Sequence, residues 1–131
     1  MWKYLTGSTP TPSKSGFEFK MQNSFEKRKD EAARLKLKFP DKIPIVLEKS
    51  DKSVLPNIDK KKFLMQKDIT LGQFLHIIRS RIKLDSTEAI FLIVDNDTIP
   101  GIASTIGEIY EKHGDKDGFL YITYSAQQTF G

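Results

Sequence analysis

ITLGQFLHIIRSRIKL, residues 69–84, decides the fold, because it joins a helix start signal to the period of an amphipathic helix. Thr70 is followed three residues later by Gln73, the pattern of a capping box, in which each residue satisfies the other's backbone N–H. At about 100° per residue, Leu71, Leu75, Ile78 and Ile82 fall within a ~60° arc, enough for a core stripe. Phe74 and Ile77 fall outside that arc, on a neighbouring stripe that ends at Arg81. Two readings fit this second stripe: a broad core face, or one wall of a groove for a partner.

Upstream, KKKFLMQ (60–66) reads as a strand whose lysines guard an exposed sheet edge. KIPIVLEK (42–49) reads as another, with Pro44 near its start, where a missing donor is tolerated. Before it, NSFEKRKDEAARLKLKFP (23–40) offers Asn23 and Ser24 as helix caps, Phe25, Ala32, Leu35 and Phe39 at helical intervals, and Pro40 as the stop. A short helical turn precedes it around residues 17–21. Downstream, AIFLIV (89–94) reads as a third, inner strand followed by the turn DND, and STIGEIYEK (104–112) as a short helix capped by Ser104. DKDG then turns into FLYITY (119–124), whose alternating aromatic and β-branched residues read as the closing strand. The order predicts an α/β domain: one compact sheet with its helix on one face.

The chain has 131 residues, enough for one domain with a real core. It contains no cysteine, which excludes disulfides, a thiol nucleophile and thiolate metal sites, and suits a reducing compartment. His76 and His113 have no carboxylates at metal-site spacing, and nothing marks a Ser/His pairing, so neither metal nor cofactor is expected. No apolar run approaches the ~18 residues of a membrane span, and MWKYLTGS lacks the pattern of a signal peptide, so a cytosolic location is expected. The net charge is +4, with 21 basic against 17 acidic residues. Basic residues cluster at Lys27-Arg28-Lys29, Lys36, Lys38, Lys42 and Lys60-Lys61-Lys62. A solvated surface or a patch for acidic peptides or anionic lipid fits these clusters. Nucleic acid does not, because no aromatics are interleaved as stacking platforms.

The closing strand is followed by SAQQTFG (125–131), which holds almost nothing to bury, yet ends on an aromatic and a glycine. A frayed terminus is one reading; a reactive terminal glycine is the other.

In combination, FEKR (25–28), DKIPIVLEK (41–49), IDKKKFL (58–64), DITLGQF (68–74), IRSRI (78–82) and DGFLYITYS (117–125) resemble the autophagy ubiquitin-like modifiers of the GABARAP and microtubule-associated light-chain type. The resemblance runs from Phe17 to Gly131. It implies a ubiquitin-like β-grasp sheet of four strands with two extra N-terminal helices. The expected organisation is a flexible extension (1–16), a helical region packed on the core (17–41), the ubiquitin-like core (42–124) and a flexible conjugation tail (125–131). The chain itself would be no enzyme but a substrate of the activating and conjugating enzymes of the lipidation pathway and of a deconjugating cysteine protease. By resemblance, Gly131 is joined to phosphatidylethanolamine and Phe130 is recognised by the protease. The protein would then be a cytoplasmic monomer before conjugation and reside on the autophagosomal membrane when lipidated.

The resemblance also implies a groove for a short aromatic-x-x-aliphatic motif carried by autophagy receptors and adaptors. Glu31, Leu35, Pro44, Val46, Lys62, Leu64 and Phe119 would form the pocket for the aromatic residue. Phe63, Met65, Ile69, Phe74 and Ile77 would receive the aliphatic one, and Lys60, Lys61 and Arg81 would meet acidic flanks. Two other functions compete: a ubiquitin-like peptide-binding scaffold that is never conjugated, and a basic N-terminal region that binds microtubules or anionic membrane. Departures from the family pattern are Gln66 where proline is common, one extra residue in Asp95-Asn96-Asp97, Gly118 in place of a bulkier residue, and the long extension. Within that extension Trp2-Lys3-Tyr4-Leu5 itself matches aromatic-x-x-aliphatic, which makes Trp2 and Leu5 a candidate self-docking motif.

Overall fold

The computed structural model describes residues 16–85 and 87–126. Two helices come first, α1 (Glu18–Gln22) and α2 (Phe25–Lys38). Ser24 caps α2 by accepting from the Lys27 N–H, and the helix stops two residues before Pro40, as the sequence predicts. Strand β1 (Lys42–Lys49) has the predicted limits, whereas β2 (Lys62–Gln66) starts two residues later than expected, where its ladder to Val46 begins. Helix α3 (Leu71–Ile82) opens with the expected capping box and closes on Lys83 in the left-handed region. Strand β3 (Phe91–Ile93), helix α4 (Ile106–His113) and strand β4 (Leu120–Ser125) complete the chain.

The sheet order is β2-β1-β4-β3. β1 and β4 run parallel at the centre, paired from Ile45↔Leu120 to Lys49↔Tyr124, and antiparallel strands flank them. Pro44 lies one residue before the parallel ladder begins, so its missing N–H removes no central bond. AIFLIV is not an inner strand: β3 lies at the sheet's far edge. A run of apolar residues reports that both faces are covered, not that both edges are paired.

Both faces of the sheet are covered by helices. On one, Ile43, Ile45, Leu47, Leu120, Ile122 and Tyr124 meet the buried residues of α3 and α4 in the larger core. On the other, Val46, Phe119 and Tyr121 meet Phe19 of α1 and Ala32 of α2 in a smaller one. The alternation of β-strand side chains separates the two sets.

The stripe on α3 is rotated from the expected position. Phe74 is fully buried with Leu71, Ile78 and Ile82, while Leu75 is only half-buried. Phe74 is therefore core, and Ile77 stands at its margin. Helix α4 is capped by Thr105, not Ser104. Thr105 and Glu108 form a second capping box, and the Ser104 carbonyl instead accepts from the Leu71 N–H at 2.8 Å, lacing α4 to α3.

Candidate functional site

Among the described residues, no strand pairs with the outer side of β2. The Leu47 N–H donates to the Lys61 carbonyl (2.8 Å), so by alternation the odd-numbered residues of β2 bond β1. Lys62 and Leu64 therefore turn their N–H and C=O groups outward. A segment laid along this edge could bond them as an added strand.

The side chains flanking that edge fall on opposite faces. Leu64 is opposite Pro44 and Lys62 opposite Val46. Paired residues share a face, here that of the smaller core. The same face carries Leu35, packed against the smaller core, and Glu31, which accepts from Lys62 Nζ at 2.8 Å. All seven residues expected around the aromatic side chain are thus on one face. Their floor is covered: Phe119 is buried, the Phe19 ring packs edge-on against it at 5.3 Å, and Lys62 Nζ lies 5.4 Å over Phe19. A large side chain reaches Phe119 only if Lys62 swings aside.

Phe63 and Met65 point to the face of the larger core. Phe63 meets Phe74 edge-to-face at 5.3 Å, and Met65, Ile69 and Ile77 are half-buried around the same core. These five residues are brought together as expected, but Phe63 and Phe74 form a floor and do not line a wall. An extended segment sends residues i and i+3 to opposite faces, about 10 Å apart along the strand. The two expected residue clusters lie on those two faces of β2.

The basic rim divides. Lys60 Nζ lies 5.0 Å and the Arg81 guanidinium 5.8 Å from the Phe63 ring centre. Lys61 turns instead to α1, with Nζ 2.7 Å from Glu18 and 3.4 Å from Glu48. The Lys61 hydrogen bond and charge hold the Glu18 carboxyl below its usual range. Arg81 is paired with Asp59 at 3.0 Å. These carboxylates on the rim were not anticipated; only the adjacency of Asp59 to the lysine run hinted at one.

A second polar cluster, also missed by the sequence reading, fastens α2 behind the groove. Arg28 donates to Asp117 (2.6 Å), Tyr121 donates to the same oxygen (2.5 Å), and the Phe119 N–H donates to the other (2.9 Å). The Asp117 side chain is fully buried and Arg28 nearly so, so Arg28 does not belong to a solvated basic patch. Burial, with the bond to Asp117, pushes the Tyr121 phenol well above the usual tyrosine range. Gly118 acquires a role here. Its φ is +100°, and a Cβ would come within 2.8 Å of Ala32 Cβ, so a larger residue would push α2 off the sheet. The extra turn residue is also accommodated: Asp95 and Asn96 are both left-handed, and His113 Nδ1 reaches Asp95 at 2.5 Å. Among the described residues no cluster could hold a metal ion. Gly131, Phe130, Trp2 and Leu5 lie outside the described residues.

A mixed four-stranded sheet with an open edge, α3 and α4 on one face and two preceding helices on the other defines a ubiquitin-like protein with an N-terminal helical addition. The family described as "Autophagy protein Atg8 ubiquitin like" matches residues 27–131. "Autophagy-related protein 8e" of Arabidopsis thaliana is 54% identical over 116 residues, covering 88% of this chain and 94% of the relative. "Autophagy-related protein 8" of Mycosarcoma maydis is 52% identical over 113 residues, covering 86% and 95%. The crystal structure of Trypanosoma brucei ATG8 superposes with a TM-score of 0.82 at 38% identity, over 89% of this chain and all of that one. The chain belongs to the Atg8 family of ubiquitin-like autophagy proteins.

Proposed function

We propose that this chain is a modifier whose Gly131 carboxyl is carried as a thioester by activating and conjugating enzymes and passed to the primary amine of phosphatidylethanolamine. The new bond is an amide, and the enzyme thiol leaves. On the autophagosomal membrane the β2 groove then recruits receptors and adaptors bearing an aromatic-x-x-aliphatic motif. The observation that supports the recruiting role is the pair of side-chain clusters on opposite faces of one edge strand. The conjugating role rests on the tail, where glycine offers an unhindered carbonyl to an enzyme active site and Phe130 gives the cysteine protease a handle. The chain supplies no catalytic group; it is cargo for enzymes, monomeric and cytoplasmic until conjugated.

Reconstitution with cognate enzymes and phosphatidylethanolamine liposomes tests this. The expected product is a lipid-dependent mass increase of the wild-type chain. Gly131→Ala should abolish or severely slow it while thermal stability and motif-peptide binding stay unchanged. Normal lipidation of that variant would remove Gly131 from the role.

A further inference from the structure

We propose that Trp2-Lys3-Tyr4-Leu5 is an intramolecular occupant of the β2 groove, so that the N-terminal extension competes with outside partners for the same two pockets. This rests on the groove reading given under Proposed function and adds to it a regulator carried by the chain itself.

Four observations point to this occupant. First, Trp2 and Leu5 are three residues apart, the separation that sends one side chain to each face of an added strand. Second, the described chain begins beside the groove. The Phe17 ring packs on Tyr121 at 4.9 Å, and the next residue, Glu18, is bonded to Lys61, which immediately precedes β2. Third, the intervening TGSTPTPSKSG (6–16) has no large apolar residue that could dock elsewhere, and its composition is that of a linker. Fully extended it spans up to ~35 Å, and as a coil about 20 Å.

The fourth observation is charge. WKYL carries no acid, and Lys3 would be repelled by a bare basic rim. The rim is not bare: Lys61, Lys62 and Arg81 are paired with Glu18, Glu31 and Asp59. A ligand without acids leaves the Lys61 and Arg81 pairs in place and displaces only Lys62 from Glu31 as its aromatic side chain enters, whereas an acidic partner gains by exchanging all three. Such an occupant is weak, and the tether compensates through an effective concentration near millimolar. With an intrinsic dissociation constant between about a tenth of that concentration and its full value, it should raise a partner's apparent constant by about two- to tenfold.

Trp2 is the only tryptophan in the chain, so its fluorescence reports on the motif directly. The probe is a synthetic aromatic-x-x-aliphatic peptide with phenylalanine as its aromatic, titrated into the full chain and into the Trp2→Ala, Leu5→Ala double variant. The expected result is about two- to tenfold tighter binding to the double variant. Trp2 emission in the wild-type chain should be blue-shifted at every protein concentration, and should move to that of a free MWKYL peptide as the probe saturates. Equal affinities with water-like Trp2 emission would overturn self-docking and leave the groove reading standing. A blue shift that grows with protein concentration would overturn the intramolecular occupant in favour of a second copy. A probe that binds neither protein would overturn the groove reading, and this proposal with it.

Discussion

The two faces of the sheet are covered by helices of similar length, but they are held by different physics. The 12-residue α3 buries Leu71, Phe74, Ile78 and Ile82. The 14-residue α2 buries only Ala32, and Phe25 and Leu37 on it are 40% and 86% exposed. What α2 lacks in apolar contact it has in directed polar bonds: Arg28 to Asp117, Glu31 to Lys62, and Lys36 to the Tyr110 hydroxyl. α1 is held similarly, by Lys20 to Asp115 and by the Glu18 and Phe19 N–H groups on the Glu48 carboxylate. Apolar packing is nondirectional and tolerates small shifts. A buried charge network is satisfied in one arrangement and costly in every other. The β2 edge lies between these regimes and presents one cluster of side chains to each.

The largest expected effects separate the two regimes. Phe63→Ala opens the larger core and should cost about 3–5 kcal/mol, read as a lower denaturation midpoint with protection lost throughout the sheet. Asp117→Ala leaves the buried Arg28 charge and the Tyr121 hydroxyl without their carboxylate, and a cost of about 3–5 kcal/mol is expected there too. Hydrogen exchange distinguishes them: in Asp117→Ala, α1 and α2 should lose protection before α3 and β4 do. Uniform loss in both variants would mean that the faces open as one unit.

The same contrast decides what could be read from the sequence. Helix α3 was legible because a capping box and a helical period are local signals. The limits of β1 were legible for the same reason. The centre of the α3 stripe was missed by one position, since the sheet, and not the helix, decides that Phe74 is buried while Leu75 is half out. The α4 cap shifted from Ser104 to Thr105 because the Ser104 carbonyl is claimed by another helix. The edge position of β3 depends on strand neighbours, which its own residues do not encode. The face of the smaller core was hardest to read: Arg28 sits in a run of charges that looks solvated, and its partner Asp117 is 89 residues away. The residues proposed for the two pockets come from the resemblance, which names Glu31 but gives no sign of Glu18 and Asp59, the acids paired with Lys61 and Arg81.

A smaller effect probes the edge itself. Leu64 is half-buried on the face of the smaller core, so Leu64→Ala should leave stability almost unchanged. It should weaken motif-peptide binding by about 1–3 kcal/mol, measured by calorimetry. If stability falls and affinity does not, Leu64 belongs to the α2 packing and the aromatic pocket lies elsewhere.

Acid should loosen the polar face first. Burial alone would raise the Asp115 carboxyl, but hydrogen bonds from Lys20 and the Asp117 N–H, with the Lys20 charge, outweigh it and hold its pKa below the usual aspartate range. A depressed carboxyl contributes stability above its unfolded value of about 3.9, and that contribution is lost as pH falls through the folded value. As pH falls below about 4 the wild type should therefore take up more protons on unfolding than Asp115→Asn does, by less than one proton. Loss of α1 protection should accompany it. Identical slopes for the two proteins would mean that Asp115 does not couple α1 to the turn.

The smallest effect concerns the rim. Arg81 has two roles in the structure, a 3.0 Å pair with Asp59 and a position 5.8 Å from the Phe63 ring centre. Arg81→Glu places two carboxylates side by side at Asp59 and leaves Lys60 as the cation over the Phe63 ring. Exposed pairs of this kind are worth about 0.2–1 kcal/mol, so a peptide with acidic flanks should bind about two- to fivefold more weakly. A neutral-flanked peptide of the same core should lose little. Screening gives the decisive control, since the Debye length falls from about 10 Å at 0.1 M to about 3 Å at 1 M salt. The gap between the two peptides should close over that range if Arg81 acts through its charge. If both peptides weaken alike and salt leaves the loss in place, Arg81 acts by covering Phe63, and the rim is an extension of the apolar face.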